Sequence, residues 1–302
     1  MTHKPAVTIV IPTHNRCNLL QETISSVFSQ TLEDWELIIV DDASEDETWA
    51  WLSGLKDPRV SQIRFEQPVE RSKARNEGLQ AARGQFILFL DDDDLLVERA
   101  LQIHVQALER YPAAIASIGG YTLFDESGSH LTVRIIRRGT VRHIWEDILF
   151  GWIAVSGQCL FRTQAIQSVS GWDESRVSCE DHELWLRVGR LGPVALLPDI
   201  VQMYRVHRGQ YRPRKLSQIM TDVREQTVQQ TYGKERERGD RILRARTLAQ
   251  TASEHYKRPE AMKALLLYLK ALRMMPSLLR SPLTRPLVLV PMIKCLAGKI
   301  GL

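Results

Sequence analysis

The chain has 302 residues, a net charge of +4, 44% apolar residues and 25% charged ones. That is the balance of a soluble globular protein with enough chain for one large domain or two. No apolar run approaches the roughly 18 residues needed to span a bilayer, and Cys17, Cys159, Cys179 and Cys295 have no zinc-ligand spacing.

The opening stretch MTHKPAVTIVIPTHN has no long apolar core of a secretion signal. A reducing cytoplasm with free thiols is therefore expected. Residues 7–11, VTIVI, are a β-branched run stopped by Pro12 and read as a buried strand. Residues 18–30 place Leu19, Ile24, Val27 and Phe28 near helical spacing behind Asn18, a capping residue type. Residues 35–42, WELIIVDD, read as a second buried strand that ends in two acids. A helix over 45–52, a weaker strand over 59–65, a helix over 72–83 stopped by Gly84 and a strand over 86–90 follow. Strands alternating with helices of about ten residues predict an α/β fold with a mostly parallel central sheet flanked by helices.

Further along, the pattern predicts a helix over 98–110 and strands over 115–124 and 131–136 about a turn at Ser127 and Gly128. A short strand over 157–161 and a helix over 178–192 come next. Beyond Arg212 the pattern is helical, interrupted late by Pro276, Pro282, Pro286 and Pro291. The expected organisation is one α/β domain over 1–212 and a helical extension over 213–302.

Ligands of such sheets gather beyond the carboxyl ends of the strands. Three polar clusters fall there: residues 13–15, Asp41 with Asp42, and the run Asp91, Asp92, Asp93, Asp94. One acid after a strand can cap the next helix, worth about 0.3–1 kcal/mol. Four in a row raise one another's pKa, a conflict that a bound Mg²⁺ or Mn²⁺ would relieve.

Four segments, VTIVIPTHNR, WELIIVDDASEDET, SKARNEGLQAARGQFILFLDDDD and GWDESRVSCEDHELWLR, occur in register over about residues 5–210. Together they resemble the family 2 glycosyltransferases, an inverting group with the GT-A fold. The resemblance implies that Asp93 binds the divalent metal, Mg²⁺ or Mn²⁺. It places Asp92 near the donor's ribose, and Asp91 as support for the loop. Asp94 is left as a cap or a supporting acid. Pro12, His14 and Asp42 fall where the family contacts the nucleotide base, with Asp42 accepting from a base N–H. Arg71 or Arg75 falls near the nucleotide. Inversion needs a carboxylate to take a proton from the acceptor hydroxyl, and the family's ED motif maps onto Glu180 and Asp181, with Asp181 as base. Ser178 and Asp181 also fit a capping box, and the two readings are compatible. A YRxH-like segment supplies His207 for the metal and Arg205 for the diphosphate, against the plainer reading of a basic solvated loop. Trp172 is a candidate acceptor wall.

The implied partners are a nucleotide-sugar donor, UDP-linked, and a saccharide or lipid-linked acceptor in cell-surface polysaccharide synthesis. Nucleic acid is not expected. From Ala261 onward there are seven Lys or Arg and no Asp or Glu, which leaves the rest of the chain at about −3. This basic, Leu-rich tail fits an interfacial helix at the inner face of the plasma membrane. It also fits helices packed on the catalytic domain or a homodimer surface. Two other classes compete with a transferase: a non-catalytic nucleotide-sugar binder, and an aspartyl phosphohydrolase, which DDDDLL fits poorly because no hydroxyl residue follows.

Overall fold

The fold is taken from a computed structural model that describes residues 4–125, 127–134, 136, 139–152, 154–207, 216–256, 261–281, 284, 288–289 and 291–292. The order begins β1 (Val7–Thr13), α1 (Cys17–Phe28), β2 (Trp35–Asp41), α2 (Thr48–Ser53), β3 (Val60–Arg64), α3 (Glu70–Ala81), β4 (Phe86–Phe89), β5 (Leu95–Leu96) and α4 (Ala100–Arg110). It continues with β6 (Ala116–Asp125), β7 (His130–Arg134), β8 (Thr140–Arg142), α5 (Trp145–Phe150), β9 (Cys159–Arg162), α6 (Thr163–Ser168), α7 (Glu180–Val188) and β10 (Val194–Val206). The helices α8 (Leu216–Gln229), α9 (Gly233–Tyr256) and α10 (Ala261–Met274) follow. Two compact units result: Met1–His143 with Ala154–Leu216, and Ile144–Ile153 with Ser217–Leu302. The segment 144–153, which lies inside the first predicted domain, groups with the helical unit.

The sheet of the first unit runs β3-β2-β1-β4-β9-β6-β10-β5, with β7 on β6 and β8 on β10. β3, β2, β1 and β4 are mutually parallel, as the βαβ pattern requires. Beyond β4 the sheet is mixed: β9 is antiparallel to both its neighbours, whereas β10 runs parallel to β6. β1, β2 and β4 are buried along their whole lengths, which explains their unbroken apolar runs.

β10 is the element that the sequence hid. Pro198 and Asp199 interrupt its apolar run, a pattern that argues against a strand. The structure absorbs them in a register shift against β6 between Leu196 and Ile200. The other departures are local. α1 starts at Cys17, so Asn18 is not its cap, and Arg16 at the cap position makes no capping side-chain bond. α2 starts three residues later than expected, because Ser44 N donates to Asp41 Oδ1 and Thr48 N to Asp46 Oδ1, holding the preceding loop open.

In the helical unit, α5 buries Trp145, Ile148, Leu149 and Phe150. Arg224 of α8 is buried and donates to the carbonyls of Ile148 and Met220. Asp147 accepts from Thr284 Oγ1 at 3.2 Å. No helix among the described residues is long and apolar enough to cross a membrane.

α3 is held tightly against β1. A Cβ on Gly78 would fall 2.3 Å from Val10 Cγ1. Ala in a helix interior normally gains about 0.5–1 kcal/mol over Gly. Here Gly78→Ala is expected to lose about 1–3 kcal/mol in urea unfolding, because overpacking outweighs propensity. Val10→Ala added to it should restore part of the loss; a stabilised single variant would refute the close approach.

Candidate active site

The ends of β1, β2 and β4 converge with the first turns of α3 and α7 on one cavity of about 790 Å³, a size suited to a small ligand. Pro12, His14, Asp42, Arg71, Arg75, Asp91, Asp92, Asp93 and Asp181 all line it. Of the site candidates singled out from sequence, Asp94, Trp172, Arg205 and His207 do not line it; Arg205 and His207 reach Asp93 from β10 and the residue after it.

The four aspartates diverge. Asp91 accepts from Arg75 Nη2 at 2.6 Å. Asp92 accepts from Thr13 Oγ1 at 2.7 Å and Arg16 Nη1 at 2.9 Å. Asp93 accepts from the same Arg16 Nη1 at 2.7 Å and lies 3.1 Å from His207 Nε2. Asp94 accepts from Gln202 Nε2 at 2.6 Å and Arg205 N at 2.9 Å. The protein therefore relieves most of the crowding with its own donors, and the run does not by itself require a metal. Some strain remains. Burial, with Asp93 beside it, pushes Asp92 up to about 6 despite Arg16. Burial next to Asp93 and Asp91 drives Asp94 well above the usual carboxylate range. Asp94 is not a helix cap, since α4 begins only at Ala100. Arg205 does not present its guanidinium to the cavity. Its Nε donates to Asp93 O and its Nη2 to Glu22, so it braces the loop from behind.

Among the described residues no cluster of three or more His, Cys, Asp and Glu side chains could hold a metal. Asp93 with His207 offers one carboxylate and one imidazole. That donor set fits a cation that draws its remaining ligands from substrate phosphates and water.

Arg75 joins the two acidic motifs. It is 2% exposed, binds Asp91 through Nη2 and Glu180 through Nη1 at 3.3 Å, and its guanidinium lies 4.4 Å from the Trp172 ring. Burial opposes its charge, but Asp91, Asp181 and Glu180 more than compensate and raise its pKa. Burial also opposes ionisation of Asp91, yet Arg75, with Arg71 and Arg16, holds that carboxyl below its ordinary value. Arg71, one turn before Arg75, meets the same Glu180 oxygen at 3.4 Å. Trp172 is 4% exposed and packs edge-on against Phe89, so it is buried wall and not an acceptor platform. Asn76 fixes its loop by accepting from Trp172 N and donating to Trp172 O.

Asp181 is not a capping residue. The position before α7 is Cys179, at φ 61°, and no side chain caps the helix. Asp181 Oδ1 instead accepts from Ser156 Oγ at 2.8 Å, while Oδ2 has no hydrogen bond among the described residues. Burial raises this carboxyl to about 7; Arg75 opposes the shift, and Glu180 and Asp91 add to it. The helix N-terminus therefore does not keep it ionised at acid pH. Asp42 differs from expectation too. Its two oxygens accept Val69 N at 2.6 Å and Glu70 N at 3.1 Å, so it anchors the start of α3. His14 Nδ1 donates to Asp42 O at 2.5 Å, which fixes the ring against that strand end.

Sequence reasoning passed over Arg16 and Ser156. Arg16 closes the THNR run after β1 and was detectable as a cation at the strand edge. Ser156 sits in a short 3₁₀ turn (Ser156–Gln158) with no distinguishing pattern.

The family model for Glycosyl transferase family 2 matches residues 8–168, and the chain belongs to that family; it is a glycosyltransferase with a GT-A fold. An Escherichia coli protein, UDP-Glc:alpha-D-GlcNAc-diphosphoundecaprenol beta-1,3-glucosyltransferase WfaP, is 30% identical over 233 residues, 75% of this chain and 86% of that protein. The putative teichuronic acid biosynthesis glycosyltransferase TuaG of Bacillus subtilis is 32% identical over 130 residues, 42% of this chain. The chain spans about half of TuaG, 51% of its length. The crystal structure of S. aureus TarS 1-349 in complex with UDP-GlcNAc superposes with a TM-score of 0.65 at 16% identity, covering 98% of this chain and 92% of that one. Membership sets aside the phosphohydrolase reading.

Removing Arg75 leaves Asp91, Glu180 and Asp181 without their shared countercharge. Arg75→Leu is expected to lose about 3–5 kcal/mol of stability in urea unfolding at pH 7, the scale for a broken buried ion pair. A loss under about 1 kcal/mol, typical of solvent-screened pairs, would show that solvent balances these acids instead.

Proposed function

We propose that the chain transfers a sugar, with inversion, from a UDP-linked donor to a hydroxyl of a lipid-linked saccharide during cell-surface polysaccharide assembly. The observation that carries this reading is the shared cavity: the Asp91–Asp93 loop and the Asp181 carboxylate line it together. WfaP and TuaG support the acceptor class and the pathway type through what their names state, and the UDP-GlcNAc complex of TarS supports the donor class.

In this reading Asp93 and His207 hold a Mg²⁺ or Mn²⁺ ion, which when bound supplies Lewis-acid stabilisation of the departing diphosphate. Pro12 and His14 border the base, Asp92 borders the ribose, and Arg71 lies beside the diphosphate. The acceptor oxygen forms a bond to the anomeric carbon from the face opposite the leaving group. The carbon–oxygen bond to the diphosphate breaks, and its electron pair leaves with UDP. The acceptor's proton passes to Asp181 Oδ2 as the new bond forms. Ser156 holds Oδ1 and so orients the carboxylate. A base with a pKa near 7 is matched to this proton transfer at neutral pH.

The helical unit supports membrane contact through α10. Leu266 and Leu269 are 59% and 47% exposed, Lys270 and Arg273 are exposed beside them, and no acid follows Ala261. This is the pattern of a face that rests on an anionic surface. The remainder of the tail, beyond residue 292, lies outside the described residues.

Asp181→Asn is expected to keep donor affinity and lower kcat by about 10²–10⁴-fold, the range for loss of a general base. Wild-type kcat/KM should rise with pH and level off above about 7, because the base must be ionised. The same shift has a stability sign. A carboxyl raised from 3.8 to about 7 by folding penalises the folded state increasingly as pH climbs between those values. Asp181→Asn should therefore melt above wild type at pH 8, with the gap closing towards pH 4. Near-normal turnover in the variant would refute the base assignment. For the tail, Lys270→Ala with Arg273→Ala should weaken sedimentation with phosphatidylserine vesicles by about 1 kcal/mol per cation and leave binding to neutral vesicles unchanged. Equal sedimentation would assign the face to protein packing or a second copy.

A further inference from the structure

We propose that Arg16 is an exchangeable counter-ion: it neutralises Asp92 and Asp93 while the cation is absent, and turns to the donor's diphosphate when the cation takes Asp93. The inference rests on the metal and donor reading above and goes beyond it by assigning a residue which that reading does not use.

The backbone of Arg16 is fixed while its guanidinium is not. Asn15, held at φ 53°, donates its N–H to Ser44 Oγ, and its Oδ1 accepts from Glu45 N and Asp46 N. Cys17 N donates to Asp46 Oδ2. These bonds lock the turn between β1 and α1 onto the loop after β2. From that anchor the Arg16 side chain, 33% exposed, reaches across to the aspartate loop and borders the cavity.

Its contacts are confined to one atom. Nη1 alone bonds both Asp92 Oδ1 and Asp93 Oδ2. Nε and Nη2 make no hydrogen bond with the described residues, which leaves an unused edge of the fork with the geometry for a phosphate. Moreover, Nη1 occupies the same Asp93 oxygen that His207 approaches, the oxygen offered to a cation. A guanidinium and a divalent ion cannot share that oxygen without strong like-charge repulsion. Ion entry therefore displaces Arg16, and a diphosphate arriving with the ion gives it a new anionic partner within reach of the same anchored turn. The exchange makes cation and donor binding mutually supportive and keeps the acidic loop paired when both are absent.

The test is Mn²⁺ and UDP titration by calorimetry on the full chain. Without nucleotide, Arg16→Gln should bind Mn²⁺ about fivefold or more tightly than wild type, because a competitor has gone. With saturating Mn²⁺, the same variant should bind UDP about tenfold more weakly, the scale of a lost charge-assisted hydrogen bond. Arg16→Lys keeps the charge and loses the fork, so it should hold Mn²⁺ affinity within about twofold of wild type while still weakening UDP. Unchanged or weaker Mn²⁺ binding by Arg16→Gln, in a protein whose wild type does bind Mn²⁺, would overturn the exchange and leave Arg16 a fixed brace. If the wild type binds no Mn²⁺ even with UDP present, the metal reading itself fails, and the exchange with it.

Discussion

The site depends on one buried guanidinium. Arg75 is held among Asp91, Glu180 and Asp181, carboxylates that come from two segments about ninety residues apart in sequence. Without a shared cation these acids would repel one another strongly at such close range. With it, the loop that follows β4 and the first turn of α7 are set in one electrostatic frame. Trp172 covers the guanidinium and Asn76 ties down the loop that carries Trp172, so the frame has a rigid back. The arrangement also divides the acids by task. Asp91 stays ionised against Arg75, while Asp181, which has no direct bond to a cation, is left near neutrality. Environments that push titratable groups apart are how a site separates a permanent charge from a proton acceptor.

The aspartate loop repeats this logic on a smaller scale. Four neighbouring carboxylates in one chain segment alternate between partners on different elements: α3, the turn after β1, the residue after β10, and β10 itself. Arg16 holds two of these side chains and the other partners one each, and together they determine the shape of the loop. Asp94, buried and held by Gln202 and the Arg205 backbone, is part of the scaffold. Asp93, with its half-exposed arginine and its imidazole neighbour, is the member left open to exchange.

Backbone strain gathers at the same rim. Asn15, Ala43, Glu70 and Cys179 all have φ between 53° and 69° without being glycine, each at a cost of about 1 kcal/mol or more. They lie after β1, after β2, at the start of α3 and just before α7, the four places where chain direction must change sharply to aim side chains at the cavity. Asn15 is held there by its bonds to the loop after β2, and Glu70 by the Asp42 carboxylate. The rigidity of the sheet beneath, where β1, β2 and β4 are fully buried, sustains that strain.

Local pattern alone was enough for the parallel half of the sheet, because buried βαβ strands must read as unbroken apolar runs and their helices as near 3.6-residue periods. It was also enough to bring residues 13–15, Asp41 with Asp42, and Asp91–Asp94 to one edge, since strand polarity places all carboxyl ends together; Arg71 and Arg75 came only from the resemblance to the family 2 glycosyltransferases. Tertiary structure alone decided the rest. β10 was hidden because a bulge lets Pro198 and Asp199 interrupt a central strand, and only its pairing brings Gln202, Arg205 and His207 to the aspartate loop. Asp181 fitted both a helix cap and a base in sequence, and only its burial, with Glu180 and Asp91 nearby, makes it a raised carboxyl, against the opposing pull of Arg75 and Ser156. Arg16 showed in sequence only as a cation at the strand edge, and its meeting with Asp92 and Asp93 spans more than seventy residues. Charge pairing acts through space, so which acid meets which cation is fixed only when distant segments are folded onto one another.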